Sequence, residues 1–130
     1  MSGTSLDGVD AALTEFIEVA GQGLKSKVLK TYTLPFSRAL REELLALHES
    51  GQNEIHRTAM VSNQLAEIYA EAVNGLLREA NIQSSQVAAI GCHGQTIRHR
   101  PELGYTIQIG NAALLAELTG ITVVSDFRSR

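Results

Sequence analysis

At 130 residues, 44% of them apolar, the chain is one domain's worth of polypeptide with enough hydrophobic material for a sizeable core. Eleven basic against fourteen acidic side chains leave a formal charge of -3 with no basic run, which argues against a nucleic-acid partner. No apolar run reaches the roughly 20 residues that span a bilayer, and no charged segment followed by an apolar one opens the sequence, so a cytoplasmic protein without membrane contact is expected.

The opening, Met1-Ser2-Gly3-Thr4-Ser5-Leu6-Asp7-Gly8-Val9-Asp10, is a hydroxyl-bearing turn that leads into an apolar segment. Gly3 and Gly8 allow the backbone to bend and lie close to a ligand, and Thr4 and Ser5 add hydroxyls. Successive N–H groups in such a turn can converge on an anion, while Asp7 and Asp10 can hold the cation that accompanies a polyphosphate. The turn has neither the Gly-Lys-Ser/Thr ending of a Walker A loop nor the three-glycine spacing of a dinucleotide site. Gly, Ser, Thr and Asp are also the commonest turn formers, so an ordinary hairpin turn accounts for them equally well.

Strands are expected over 9–19 and 28–34, separated by Gly21-Gln22-Gly23, and together with the opening they make a three-stranded meander. Pro35 ends it, and Ser37 is placed to cap a helix over about 38–49 with Leu40, Leu44 and Leu47 as its stripe. Ser50-Gly51-Gln52 breaks that helix. Asn53 caps a second, long one in which Val61, Leu65, Tyr69, Val73 and Leu76 recur at three- and four-residue spacing, leaving His56 and Arg57 near its exposed side. Such a stripe is core and carries no chemistry.

Residues 87–92 form a short apolar run that reads as a strand buried on both faces, with Cys92 as a small core residue rather than a nucleophile. As the only cysteine it excludes an internal disulfide, and the four histidines show no metal-binding spacing. The strand ends in His93-Gly94-Gln95-Thr96. Ligands gather where strands end in open α/β sheets, so these residues are a candidate site, although His93 and Gln95 could equally serve buried backbone groups in a turn. A hairpin over 96–99 and 105–109 follows, turning at Pro101-Glu102-Leu103-Gly104. A helix over 112–118 is capped by Asn111 and stopped by Gly120, and 121–124 is another buried strand. The closing Ser125-Asp126-Phe127-Arg128-Ser129-Arg130 suits either a sugar acid or a solvated terminus. The order of elements is that of a mixed α/β domain.

The string MSGTSLDGVDAAL resembles the first phosphate loop of anhydro-N-acetylmuramic acid kinases, members of the sugar kinase, heat-shock chaperone and actin superfamily. IGCHGQTIRHRP (90–101) and YTIQIGNAALLAELTGITVVSDFRSR (105–130) look like the next two blocks of that family, in the same order. The resemblance implies a ribonuclease H-like (actin-like ATPase) half-domain: a mixed sheet opening with the meander, helices packed on it, and residues 1–130 as the amino-terminal lobe of a longer enzyme. Members usually carry apolar residues ahead of the Met-Ser-Gly-Thr and continue well past the Asp-Phe-Arg block.

The implied reaction opens the 1,6-anhydro ring of anhydro-N-acetylmuramic acid with water while ATP phosphorylates O6, giving N-acetylmuramate 6-phosphate in cell-wall recycling. Gly3, Thr4, Ser5, Leu6, Asp7, Gly8 and Asp10 would then border the ATP phosphates, with Asp7 near Mg2+. His93, Gln95, Thr96, Asp126 and Arg128 would border the sugar, Arg128 taking the lactyl carboxylate because guanidinium binds carboxylate bidentately. The family's catalytic base is an aspartate in a Gly-Phe-Asp-Thr-Gly-Pro-Gly-type motif. That motif does not occur here, so the base is expected beyond residue 130. The other reading is a non-catalytic fragment or scaffold that keeps the fold and weak nucleotide binding. ATP and an amino sugar are the implied partners, and a homodimer is allowed.

Overall fold

The computed structural model describes residues 6–128. Strands β1 (Gly8–Val19) and β2 (Gly23–Pro35) form a long antiparallel hairpin, in register from Gly8 opposite Pro35 to Val19 opposite Gly23, with a bulge between Leu13 and Thr14. The described residues therefore open with a two-stranded ribbon, and the first strand of the expected meander falls on the opening, residues 1–5 of which lie outside them. Leu6 takes a left-handed φ of 52° and the chain bends at Asp7, so extended geometry stops just before Gly8. The far half of the ribbon runs past the core and leaves Phe16, Leu24 and Val28 exposed.

Ser37 caps helix α1 (Arg38–Ala46) as expected, its hydroxyl accepting from the Leu40 N–H at 3.2 Å. The helix ends three residues earlier than its stripe suggests, with Leu47 closing it and still fully buried. Helix α2 (Glu54–Ala80) is the spine of the molecule. Val61, Leu65, Tyr69, Ala72 and Leu76 are buried along one face, against the ribbon and helix α3 (Ala112–Thr119). Asn53 precedes it in a left-handed conformation, φ 56°, and makes no side-chain cap bond, unlike the cap expected of it. His56 is exposed and Arg57 partly so, as expected, and Arg57 Nε also donates to Glu43 Oε1 at 2.7 Å, tying α2 to α1. Where α2 crosses β2, Gly75 lies under Tyr32, so close that a Cβ there would sit 2.5 Å from the ring.

Strand β3 (Ile90–Gly91) pairs in parallel with β6 (Val123–Val124), and β4 (Gln95–Arg100) pairs antiparallel with β5 (Tyr105–Ile109). The strand expected to be buried on both faces is shorter and more open, with Ala88, Ala89 and Gly91 exposed, because only one edge of β3 has a partner among the described residues. Ile121 is buried as expected, but Val124 is half exposed. Asn111 caps α3 through Leu114 N–H at 3.0 Å, and Gly120 ends it at φ 67°. The described residues thus make three two-stranded ladders around α2, a mixed α/β architecture. No helix among them is long and apolar enough to cross a membrane.

Candidate functional site

The end of β3 puts Cys92, His93 and Gly94 on a wall shared by two hollows. On one side lies a groove of about 440 Å3, bordered by Asp10, Ala12 and Thr14 of β1 and floored by Tyr69, Val73 and Leu76 of α2. On the other lies a cavity of about 230 Å3 between His93, Gly94, Gln108, Asn111, Asp126 and Arg128, floored by Tyr69 and Leu115. The wall is thin because Gly94 has no side chain. At φ +71° it presses on β5, where a Cβ would stand 2.5 Å from the Ile109 carbonyl oxygen, so close approach and left-handed backbone both require glycine.

Gly3, Thr4 and Ser5 of the predicted phosphate loop lie outside the described residues. Leu6 is buried in the core, 1% exposed, which makes it an anchor for the loop rather than a ligand contact through its side chain. Gly8 is packed against β2, a Cβ there meeting the Leu34 oxygen at 2.5 Å, so ribbon packing alone requires it. Asp7 is exposed, and its carbonyl accepts from the Phe36 N–H at 3.0 Å. Asp10 is exposed at the groove, its Oδ1 accepting from Thr33 Oγ1 at 2.7 Å. Among the described residues no three His, Cys, Asp or Glu side chains converge as a metal cage. Mg2+ on a nucleotide keeps most of its water and needs only one or two carboxylates, and the exposed carboxylates of Asp7 and Asp10 fit that donor set.

Of the predicted sugar residues, His93, Asp126 and Arg128 come together on the cavity, while Gln95 and Thr96 do not line it. Gln95 is 1% exposed, its Nε2 donating to the Thr96 carbonyl at 3.3 Å, and the Thr96 hydroxyl accepts from Gln108. Asp126 is left-handed, φ 61°, a conformation uncommon outside glycine and worth noting beside a cavity. Burial pushes the His93 imidazole below its ordinary value, and the Arg128 charge acts in the same direction. His93 is therefore neutral at pH 7, and its Nδ1 is buried with no hydrogen-bond partner among the described residues. Burial pushes the Cys92 thiol up, so Cys92 stays protonated and inert, as a core residue should.

The arrangement offers one cation, one neutral imidazole and a carboxylate around an apolar floor, which suits a small polar molecule bearing an acid group. A sequence profile for anhydro-N-acetylmuramic acid kinase matches residues 1–130. The chain belongs to the anhydro-N-acetylmuramic acid kinase family. Curated anhydro-N-acetylmuramic acid kinases from Nitrosospira multiformis, Bordetella petrii and Thiobacillus denitrificans are 57%, 58% and 56% identical to it. Each comparison covers 100% of this chain and 33–35% of the relative, so the chain spans about a third of their length and corresponds to their amino-terminal part.

Within this chain, sequence reasoning missed Tyr69, Gln108 and Asn111 as cavity residues. Tyr69 is hidden in a helical stripe that otherwise means core. Gln108 gave a signal in retrospect: it is a polar residue between Ile107 and Ile109, on the same strand face as Thr106.

Proposed function

We propose that residues 1–130 are the amino-terminal, ribonuclease H-like lobe of an ATP-dependent kinase that opens the anhydro ring of 1,6-anhydro-N-acetylmuramic acid with water and phosphorylates O6. The product is N-acetylmuramate 6-phosphate, and the setting is cytoplasmic recycling of cell-wall sugar. The observation that carries this reading is the shared wall: the groove holding Asp10 and the cavity holding Asp126 and Arg128 meet at His93-Gly94. A phosphoryl donor on one side and a sugar acid on the other are brought edge to edge, and phosphoryl transfer needs positioning more than it needs covalent chemistry from the protein.

Bound ATP with Mg2+ would supply the phosphoryl group, held by Gly3, Thr4, Ser5 and Gly8 with Asp7 or Asp10 toward the metal. The chain's own residues then orient the sugar. Arg128 takes the lactyl carboxylate through its guanidinium fork, Asp126 holds the segment or a sugar hydroxyl, and neutral His93 accepts or donates one hydrogen bond without adding a second cation. Ring opening calls for a carboxylate base that activates water, as in inverting glycoside hydrolysis. Asp126 is the one described carboxylate on the cavity and is already assigned to binding, so the base is sought in the part of the relatives' length that this chain does not cover.

The test is Arg128→Lys in the full-length enzyme, which keeps the charge and loses the fork. Loss of charged hydrogen bonds should lower kcat/KM on anhydro-N-acetylmuramic acid by about ten- to a hundredfold while sparing anhydro-N-acetylglucosamine, which has no lactyl group. Equal losses on both sugars would assign Arg128 a structural role, and absence of ATP-dependent phosphorylation by the parent enzyme would remove the kinase reading.

A further inference from the structure

Among the polar residues of the cavity that the reaction outlined above leaves unused is Gln108. Gln108 on β5 stands opposite Thr96 on β4. Its Nε2 donates to Thr96 Oγ1 at 3.1 Å and to Thr106 Oγ1 at 2.6 Å. The Thr106 hydroxyl hydrogen is committed to the Arg98 carbonyl at 3.3 Å, so toward Gln108 that hydroxyl can only accept. In this network the carboxamide turns its NH2 toward the two threonines, since an oxygen there would face the lone pairs of Thr106. The NH2 end is taken up by the two threonines, Gln108 lines the cavity, and no hydrogen bond from a described residue reaches its Oε1, which leaves that oxygen as the acceptor for a ligand. Its Cβ lies beside the His93-Gly94 wall, 3.6 Å from where a Gly94 Cβ would stand.

We infer that Gln108 is a specificity residue whose Oε1 accepts the N–H of the substrate's acetamido group, with the acetyl methyl packed on Tyr69 and Leu115. The inference rests on the sugar-kinase reading. A fixed neutral acceptor next to apolar surface matches a donor N–H next to a methyl group. It does not match the lactyl carboxylate, which has no donor and would be repelled by a carbonyl oxygen, and which has Arg128 available instead. A site with a pre-placed acceptor also discriminates strongly, since a substrate without the donor leaves that acceptor unpaired.

The experiment joins residues 1–130 to the remaining two thirds of the Nitrosospira relative. It compares anhydro-N-acetylmuramic acid with its 2-deoxy analogue, which keeps the anhydro ring and lactyl ether and lacks the acetamido group. Gln108→Leu should raise KM for the acetamido sugar by about three- to tenfold with kcat nearly constant, and leave kcat/KM for the 2-deoxy analogue unchanged. Thr106→Val, which frees the carboxamide to rotate, should show the same selectivity loss in smaller degree, and it decides the matter if melting curves show that Gln108→Leu does not fold. Equal losses on both sugars, or no loss on the acetamido sugar, would overturn the assignment while leaving the kinase reading intact. A parent enzyme that phosphorylates neither sugar removes both.

Discussion

Residues near the cavity were legible in sequence by type and hidden by orientation. His93, Gln95 and Thr96 are consecutive enough to look like one constellation, yet the turn at Gly94 sends His93 to the cavity and the start of β4 sends Gln95 into the core. Two residues apart, they would share a face of one continuous strand; the left-handed turn at Gly94, φ +71°, just before β4 begins at Gln95, is what separates them. His93 carries a pH consequence. Its folded value is depressed, so the unfolded chain binds more protons as pH falls through the ordinary histidine range, and stability present above about pH 6.5 is lost below it. His93→Gln should remove that part of the acid sensitivity, read as a flatter dependence of Tm on pH between about 5 and 7. Gly94→Ala should destabilise by about 1–3 kcal/mol or more, since it adds both a left-handed alanine and a clash with Ile109, and chemical denaturation would measure it.

Elements were read well wherever a local signal decided them. Ser37 and Asn111 cap their helices as their positions suggest, Gly120 ends α3, and the β4–β5 hairpin turns where Pro101 and Gly104 direct it. Asn53 shows the limit: the residue type fits a cap, but its left-handed backbone is the more demanding requirement, and asparagine meets that too. Ser37→Ala should therefore cost about 0.5–2 kcal/mol, whereas Asn53→Gly should fall within about ±0.5 kcal/mol, because glycine adopts the same φ freely. Paired urea melts would separate the two. At the crossing of α2 and β2, Gly75→Ala should lower Tm by several degrees although alanine is the better helix former, because Tyr32 occupies the space for the methyl group.

At the scale of the molecule, β1 and β3 each have one edge without a strand among the described residues, and both border the same groove. Bare edges with exposed apolar residues such as Phe16 and Leu24 favour pairing with another chain. Expressed alone, residues 1–130 should self-associate with rising concentration in light scattering. They should give no ATP- and Mg2+-dependent N-acetylmuramate 6-phosphate beside a full-length control, since the expected base and second lobe are elsewhere. Steady turnover by residues 1–130 would show that a base lies within them, with Asp7, Asp10 and Asp126 the first three to mutate.

The sequence by itself determined what depends on neighbours along the chain: the Ser37 and Asn111 caps, the Gly120 stop, hairpin turns, the apolar stripe of α2, the inert Cys92, and the family through three ordered blocks. Tertiary structure decided what depends on approach across the chain. Gly94 and Gly75 are fixed by the Ile109 carbonyl and the Tyr32 ring, and Arg57 is held by Glu43. The orientation of the Gln108 carboxamide is settled last of all, by a hydroxyl two residues away whose own hydrogen is spoken for across the hairpin. No local propensity encodes such a choice, because it exists only when three strand positions meet in register.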